Sequence, residues 1–314
     1  MTHIALADGA EFDRIRELLG IFGGHAVGIG DDAAQLVLPP GEALFASVDA
    51  TVEDVHFRAH WVTPAEVGWR AVQAALSDLA AMGATPVGVL LAWCLPAHRT
   101  SWLAPLADGT LQAVRDAGVP IVGGNLTLGS TLCLTTTVLG HARHGVSRAG
   151  ARVGDVCYVT GELGGPGAAV AAWEGAAEPS PAARERFVRP RARLLEGQWL
   201  AAHGASAMVD ISDGLVGDAR HLAAASAVAI RIDQQAIPLV PGTTAEQALR
   251  SGEEYELFVT APAIDIAAFR AATGTRLTPI GQVVMPTGGP SVLVEVAGDS
   301  SARVDSTRGH DHFS

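Results

Sequence analysis

The chain has 314 residues, 48% of them hydrophobic, and carries a net charge of −12. That length suggests two domains with cores that need no covalent staples, and the charge has the wrong sign for a nucleic-acid binder. No apolar run approaches the roughly 18–20 residues of a membrane span, and Asp8, Glu11, Asp13, Arg14 and Arg16 in the first twenty residues are unlike a signal peptide. Cys94, Cys133 and Cys157 are scattered in apolar stretches and read as buried thiols of a cytoplasmic protein.

Helical spacing covers Glu11–Leu19, and strand-like runs follow at Ala34–Leu38 and Ala43–Val48. Thr63-Pro64-Ala65-Glu66 combines a capping Thr, Pro at the first position and Glu three after the cap. It predicts a helix running to about Met82 and stopping at Gly83. Pro86–Leu95 reads as a buried strand, Trp102–Ala117 as a helix, and Ile121-Val122 and Thr131–Leu139 as strands. His141–Gly154, rich in Gly and Arg, reads as a domain boundary. Beyond it Asp155–Thr160 reads as a strand and Ala168–Trp173 as helical, with loop signals across Pro179–Pro190. Arg191–Ala202, Gly214–Ala225 and Ile264–Ala272 predict helices; Val228–Ile232, Glu256–Thr260 and Ser291–Val296 predict strands. The fold class expected is α+β: two α/β sandwich domains, residues 1–147 and 148–314, the second with a mixed sheet and helices.

Acidic residues recur where apolar segments stop. Asp31-Asp32 follows Gly28-Ile29-Gly30, Asp49 ends Leu44–Val48, and Asp210 and Asp213 flank Ile211-Ser212 after Ala207-Met208-Val209. Strand ends of α/β proteins converge on one edge, where sites form. Converging carboxylates repel unless a positive charge lies between them. All 21 basic residues are arginine, so a hard divalent cation with oxygen ligands is the natural candidate. The plainer readings stand beside this one. Asp31-Asp32 also reads as a solvated turn, Asp49 as a strand-end cap, Ser212 as a helix cap with Asp213 in the first turn. Asp78, late in a helix, opposes the macrodipole.

Tyr158-Val-Thr-Gly161-Glu-Leu-Gly164-Gly165 is neither G-x-G-x-x-G nor a P-loop and reads as a tight structural turn. Gly123-Gly124-Asn125, after a buried strand, reads as a turn or a phosphate-approaching loop. Without lysine, the usual P-loop and protein-kinase machinery is excluded. No zinc-like histidine spacing and no G-x-S-x-G are present. The tail Gly309–Phe313 reads equally as frayed or docked.

Together these segments resemble the thiamine-monophosphate kinase family, of the aminoimidazole-ribonucleotide-synthetase-like superfamily. The resemblance is carried by Gly28-Ile-Gly-Asp-Asp-Ala-Ala34, Ser47-Val-Asp-Ala-Thr-Val-Glu-Asp-Val-His-Phe57, Leu76-Ser-Asp-Leu-Ala-Ala-Met-Gly-Ala84, Gly123-Gly-Asn125, Val209-Asp-Ile-Ser-Asp-Gly-Leu215, Ser251-Gly-Glu-Glu-Tyr-Glu-Leu257 and Ile280-Gly-Gln282. It implies ATP-dependent phosphorylation of thiamine monophosphate to thiamine diphosphate, by direct transfer with several Mg²⁺ ions. It also implies a homodimer whose N-terminal strands pair, residues 1–147 binding ATP and metal and 148–314 completing the active site.

By position the resemblance implies Asp32, Ser47, Asp49, Asp78, Asn125, Asp210 and Asp213 as metal ligands. Gly124, Asn125, Arg148 and Ser212 would contact ATP, and His56, Glu253 and His310 would contact substrate. No covalent or general-base residue is implied, because the acceptor phosphate is already ionised. Three positions depart from the family pattern: Asn125 and Glu254 stand where Asp is usual, His310 where Trp or Tyr is common. Another ATP-dependent synthase of the superfamily and a non-catalytic nucleotide-binding paralogue are the alternative readings.

Overall fold

A computed structural model describes residues 10–29, 33–296 and 303–304. The chain forms two compact units, residues 1–79 with 85–144 and residues 80–84 with 145–314.

The first unit contains α1 (Ala10–Phe22), β1 (Ala43–Val52), α2 (Pro64–Ala81), β2 (Thr85–Leu95), α3 (Leu103–Ala117), β3 (Ile121–Leu128) and β4 (Cys133–Ala142). The last residues of α2 belong to the second unit. The four strands form one sheet in the order β1-β4-β2-β3, with β2 and β3 parallel and the other pairs antiparallel. α2 starts as its capping signal requires. Thr63 N–H donates to Glu66 Oε2 at 2.8 Å, and Glu66 N–H donates back to Thr63 Oγ1 at 3.3 Å. Gly83, at φ +66°, ends the turn after it.

Ala34–Leu38 is not a strand. Pro39-Pro40 follows at once, and Val37 is 84% exposed, so its alternating apolar residues have no sheet to join. Gly123-Gly124-Asn125 is not a turn either, because it lies inside β3. A Cβ on Gly124 would sit 2.1 Å from the Leu91 carbonyl oxygen, so glycine there lets the neighbouring strand approach. Cys157 is buried, but Cys94 and Cys133 are only half-buried; all three thiols are free.

The second unit contains β5 (Val156–Thr160), α4 (Gly165–Glu174), α5 (Pro181–Val188), α6 (Leu194–Ala202), β6 (Ala207–Asp210), α7 (Leu215–Ser226) and β7 (Ala229–Asp233). It continues with α8 (Ala245–Arg250), β8 (Leu257–Ala261), α9 (Ile266–Thr273), β9 (Leu277–Val284), β10 (Ser291–Glu295) and β11 (Arg303–Val304). Its mixed sheet runs β11-β10-β7-β9-β5-β8-β6, with only β10 and β7 parallel. Both faces are covered. Cys157, Val159, Phe258, Leu215 and Leu222 pack together on one side, and Tyr158, Val259, Leu200 and Phe269 on the other. Strands buried on two faces read as continuous apolar runs, which is why β5 and β8 stood out in the sequence.

Pro179–Pro190, read as loop, holds α5. Ser180 Oγ accepts from Ala183 N–H, and Pro181 takes the first helical position. α8, with its capping box Thr244/Gln247, and β9 were not anticipated. Among the described residues no helix is long and apolar enough to cross a membrane.

Candidate active site

In the first unit, strand alternation puts Ser47 and Asp49 on one face of β1. Ser47 Oγ donates to Asp78 Oδ2 of α2 at 2.5 Å, so that face looks toward the helix. Asp49 does not end the strand, which continues to Val52; its Oδ1 accepts from Ala50 N–H at 2.7 Å. Asp49, Thr136, Leu91 and Gly124 form one row across the sheet, and Ala50, Thr135, Ala92 and Asn125 the next. Asn125 therefore stands on the opposite face from Asp49.

β1 leads into a turn where Asp54 adopts φ +68°. His56 N–H donates to the Val52 carbonyl at 2.9 Å, and Val52 N–H donates to His56 Nδ1 at 3.1 Å. With Nδ1 accepting, the proton of the neutral ring sits on Nε2. Beside β3, Ile15, Leu18, Phe22, Trp93, Gly124 and Asn125 line an apolar cleft. The buried Trp93 Nε1–H has no hydrogen-bond partner among the described residues.

In the second unit Asp210 is buried at the end of β6. Ser212 does not cap α7. The residue before the helix is Gly214 at φ +106°, and no side chain caps it. Asp218, in the first turn, reaches back instead and accepts from the N–H groups of Ser212 and Asp213, each at 3.0 Å. Burial, and then the nearby Asp210 carboxylate, push Asp218 up to about 8, with Asp213 adding to the push; the two backbone N–H groups oppose it. Asp218 was missed in the sequence; the signal available was an acid in the first turn after Gly214. Arg148 is exposed, and its carbonyl accepts from Ser226 Oγ at 2.8 Å.

The Ser251–Glu256 loop docks against the exit of β6. Glu253 N–H donates to the Ser212 carbonyl at 2.7 Å and Tyr255 N–H to the Ile211 carbonyl at 2.9 Å. Glu253 and Tyr255 both have positive φ, 60° and 52°. Such conformations in residues bearing a Cβ cluster at functional sites. Glu254 is buried and accepts from Gly164 N–H at 2.5 Å, while Ser251 Oγ accepts from Gly167 N–H at 2.7 Å. The Gly161–Gly165 turn and the start of α4 thus serve this loop: the Gly164 and Gly167 amides are answered by its Glu254 and Ser251 side chains.

The structure brings Ser47, Asp49 and Asp78 onto one face in the first unit, and Asp210, Ser212, Asp213 and Glu253 around one strand exit in the second. Asp32 and His310, with Asp31 and the tail Gly309–Phe313, lie outside the described residues. Among the described residues no group of three or more His, Cys, Asp or Glu side chains stands in metal-holding geometry. The donor chemistry nonetheless suits a hard cation. It consists of carboxylate and hydroxyl oxygens, and a carboxyl is pushed up where Asp210, Asp213 and Asp218 crowd together.

Residues 30–142 match the AIR synthase related protein N-terminal domain, and residues 152–294 match its C-terminal domain. Thiamine-monophosphate kinase of Salmonella typhimurium is 33% identical over 321 residues, covering 96% of this chain and 95% of that one. The chain belongs to the thiamine-monophosphate kinase family. The crystal structure of the family's Stenotrophomonas maltophilia member superposes with a TM-score of 0.79 at 32% identity, covering 96% of this chain and 99% of the other. AaThiL complexed with AMPPCP and TMP gives a TM-score of 0.77 at 29% identity over 100% of both chains. The family's fold accounts for both units, including the four-stranded and seven-stranded sheets.

Proposed function

We propose that this protein transfers the γ-phosphoryl group of ATP to the phosphate of thiamine monophosphate, giving thiamine diphosphate and ADP. The observation that carries the reading is the extent of the likeness: 33% identity to a thiamine-monophosphate kinase along 96% of the chain, through both units. The acceptor oxygen is already ionised, so positioning and charge compensation are what the residues must supply.

Ser47, Asp49 and Asp78 are proposed as Mg²⁺ ligands in the first unit and Asp210 and Asp213 in the second, with Asp32 completing the set. Bound Mg²⁺ would supply compensation for the charge on the phosphates. The other assignments concern this chain's own groups. Arg148, exposed on its turn, is proposed to offer a guanidinium fork to ATP phosphate, with Ser212 as a second contact. Gly124 and Asn125 are proposed as ATP contacts at the apolar cleft. The unpartnered Trp93 N–H there suits a flat heterocycle bearing an acceptor. His56, with its Nε2–H directed by the Val52 bond, and Glu253 are proposed to orient the acceptor, and His310 to contact its ring system.

A homodimer belongs to the same reading. The sheet face that carries Leu44, 55% exposed, and Val48, 63% exposed, is an apolar surface suited to a second copy of the chain. The three free thiols are in keeping with a cytoplasmic protein.

The test is incubation with MgATP and thiamine monophosphate, with products read by mass spectrometry. Thiamine diphosphate is expected, free thiamine should remain unchanged, and EDTA should abolish turnover until Mg²⁺ is restored in excess. Asp49→Asn and Asp78→Asn should each lose about 10²–10³-fold in kcat, while Glu295→Gln, in a half-exposed surface ion pair, should lose nothing. ATP binding without turnover would sink the kinase reading.

A further inference from the structure

Glu253 and Tyr255 hold left-handed backbone conformations that a Cβ disfavours. Such residues persist only where the surroundings over-determine them. The side chains of the same loop supply that determination. Ser251, Glu254 and Glu256 are all buried, while Glu253 between them is half-buried. Of these anchors Glu256 is the most heavily bonded. Its carboxylate receives a two-pronged contact from Arg193, Nε to Oε2 at 2.7 Å and Nη2 to Oε1 at 2.5 Å. Arg186 Nη2 lies 3.1 Å from Oε1, and Thr160 Oγ1 donates to Oε2 at 2.6 Å. Gly161 makes room for the arrangement, since a Cβ there would fall 2.2 Å from Glu256 Oε1.

Buried ion pairs are often replaceable by apolar side chains at no loss of stability, so this pair is weak evidence of a purely stabilising role. Here the pair sits on the residue directly after Tyr255 and three after Glu253. The backbone of Glu256 is also fixed, its carbonyl accepting from Ile211 N–H at 2.8 Å. Glu256 thus stands at the junction of β8 with the loop, tied by its main chain to the β6 exit and by its side chain to Arg193. A fork is needed to set both oxygens at once, which lysine cannot do.

We propose that Arg193 is a positioning residue for the acceptor: through Glu256 it holds the 251–256 loop in the left-handed conformation that presents Glu253 to the phosphorylated substrate. The proposal rests on the kinase reading above. Arg193 itself touches no substrate. Its effect is on where Glu253 stands, and therefore on acceptor binding rather than on ATP.

The test compares the full chain with Arg193→Lys and, as a milder second variant that keeps both charges, Thr160→Val. In R193K the KM for thiamine monophosphate is expected to rise about tenfold, with the KM for ATP changed less than about twofold. Amide hydrogen exchange at Glu253 and Tyr255 should accelerate, while that of Val259 in β8 holds. T160V should shift the same quantities in the same direction by less, and it reads the loop should R193K fail to fold. Equal changes in both KM values, or exchange accelerated uniformly through the unit, would reduce Arg193 to a stability element and overturn the proposal. Wild-type protein that converts no thiamine monophosphate would remove the acceptor reading. Unchanged exchange at Glu253 and Tyr255 in R193K would remove the hold on the loop itself.

Discussion

Glu256 and Asp218 are both carboxylates in the second unit, both almost wholly buried, and they are treated in opposite ways. Burial alone would raise Glu256, but the Arg193 guanidinium overrides it and, with Arg186 and Thr160, holds the carboxyl below its ordinary range. Asp218 is pushed up to about 8 by burial first and then by Asp210, with Asp213 adding, and only two backbone N–H groups oppose the rise. One carboxyl is answered by side chains, and the other is left to burial, its acidic neighbours and two backbone amides. A crowded, partly answered set is what a site that receives a cation needs, whereas a fully answered one builds scaffold. The contrast is in keeping with the proposal that Asp210 and Asp213 hold a cation, while Glu256 belongs to the scaffold.

The largest effect should come from breaking the answered pair. Glu256→Gln leaves Arg193 facing a neutral amide in a buried place and should cost about 3–5 kcal/mol of stability. Asp218→Asn removes crowding and keeps an oxygen for the Ser212 and Asp213 amides, so it should cost less than about 1 kcal/mol or stabilise. Urea unfolding in EDTA reads both. Similar losses in the two variants would mean that Asp218 is as structural as Glu256.

How much of this was legible depended on whether the determining contact is local. Strands β5 and β8, buried on both faces, carry their own apolar signal, and the Thr63–Glu66 box announces α2 within four residues. Asp49, Asp78 and Asp210 stand out as candidates because each ends or interrupts an apolar pattern. The contacts of Arg193, Glu254 and Asp218 do not. Arg193 meets Glu256 across 63 residues, and Glu254 meets Gly164 across 90. No local pattern encodes such a meeting. Gly123-Gly124-Asn125 misled for a related reason: glycine marks either a turn or a close strand neighbour, and only the pairing with β2 distinguishes them.

A mid-sized effect separates Glu254 from Glu256, its neighbour but one. Burial pushes Glu254 up to about 8 against the Gly164 amide, Ser251 and Arg186, which pull it down. Its folded pKa is thus above its unfolded one, so the folded state keeps a proton that the unfolded chain has lost. The stability this contributes is fully present below the ordinary carboxylate range and is lost as pH rises toward 8. Asp218 has the same sign. Glu254→Gln keeps an acceptor for Gly164 N–H and cannot titrate. Between about pH 5.5 and pH 8 it should lose about 1–3 kcal/mol less stability than the parent protein, as read by urea unfolding at the two pH values. An unchanged pH slope would mean that Glu254 is ionised in the fold, answered as Glu256 is.

The smallest effect should come from adding a carboxylate where the first unit has an amide. Asn125→Asp puts a carboxylate in place of that amide. If charge count alone governed cation binding, the half-saturating Mg²⁺ concentration should fall. Strand register argues otherwise. Asn125 shares its row with Ala92, Thr135 and Ala50, whereas Asp49 shares the opposite face with Thr136 and Gly124. A new charge across the sheet acts through distance and solvent rather than as a ligand, and such contributions are small and screened by salt. Asn125→Asp should therefore move the Mg²⁺ dependence by less than about twofold, and that shift should shrink as ionic strength rises. A tenfold fall that persists in high salt would mean that the side chain reaches the same cation as Asp49. In that case the crowded class of carboxylates would extend across both faces of the first sheet.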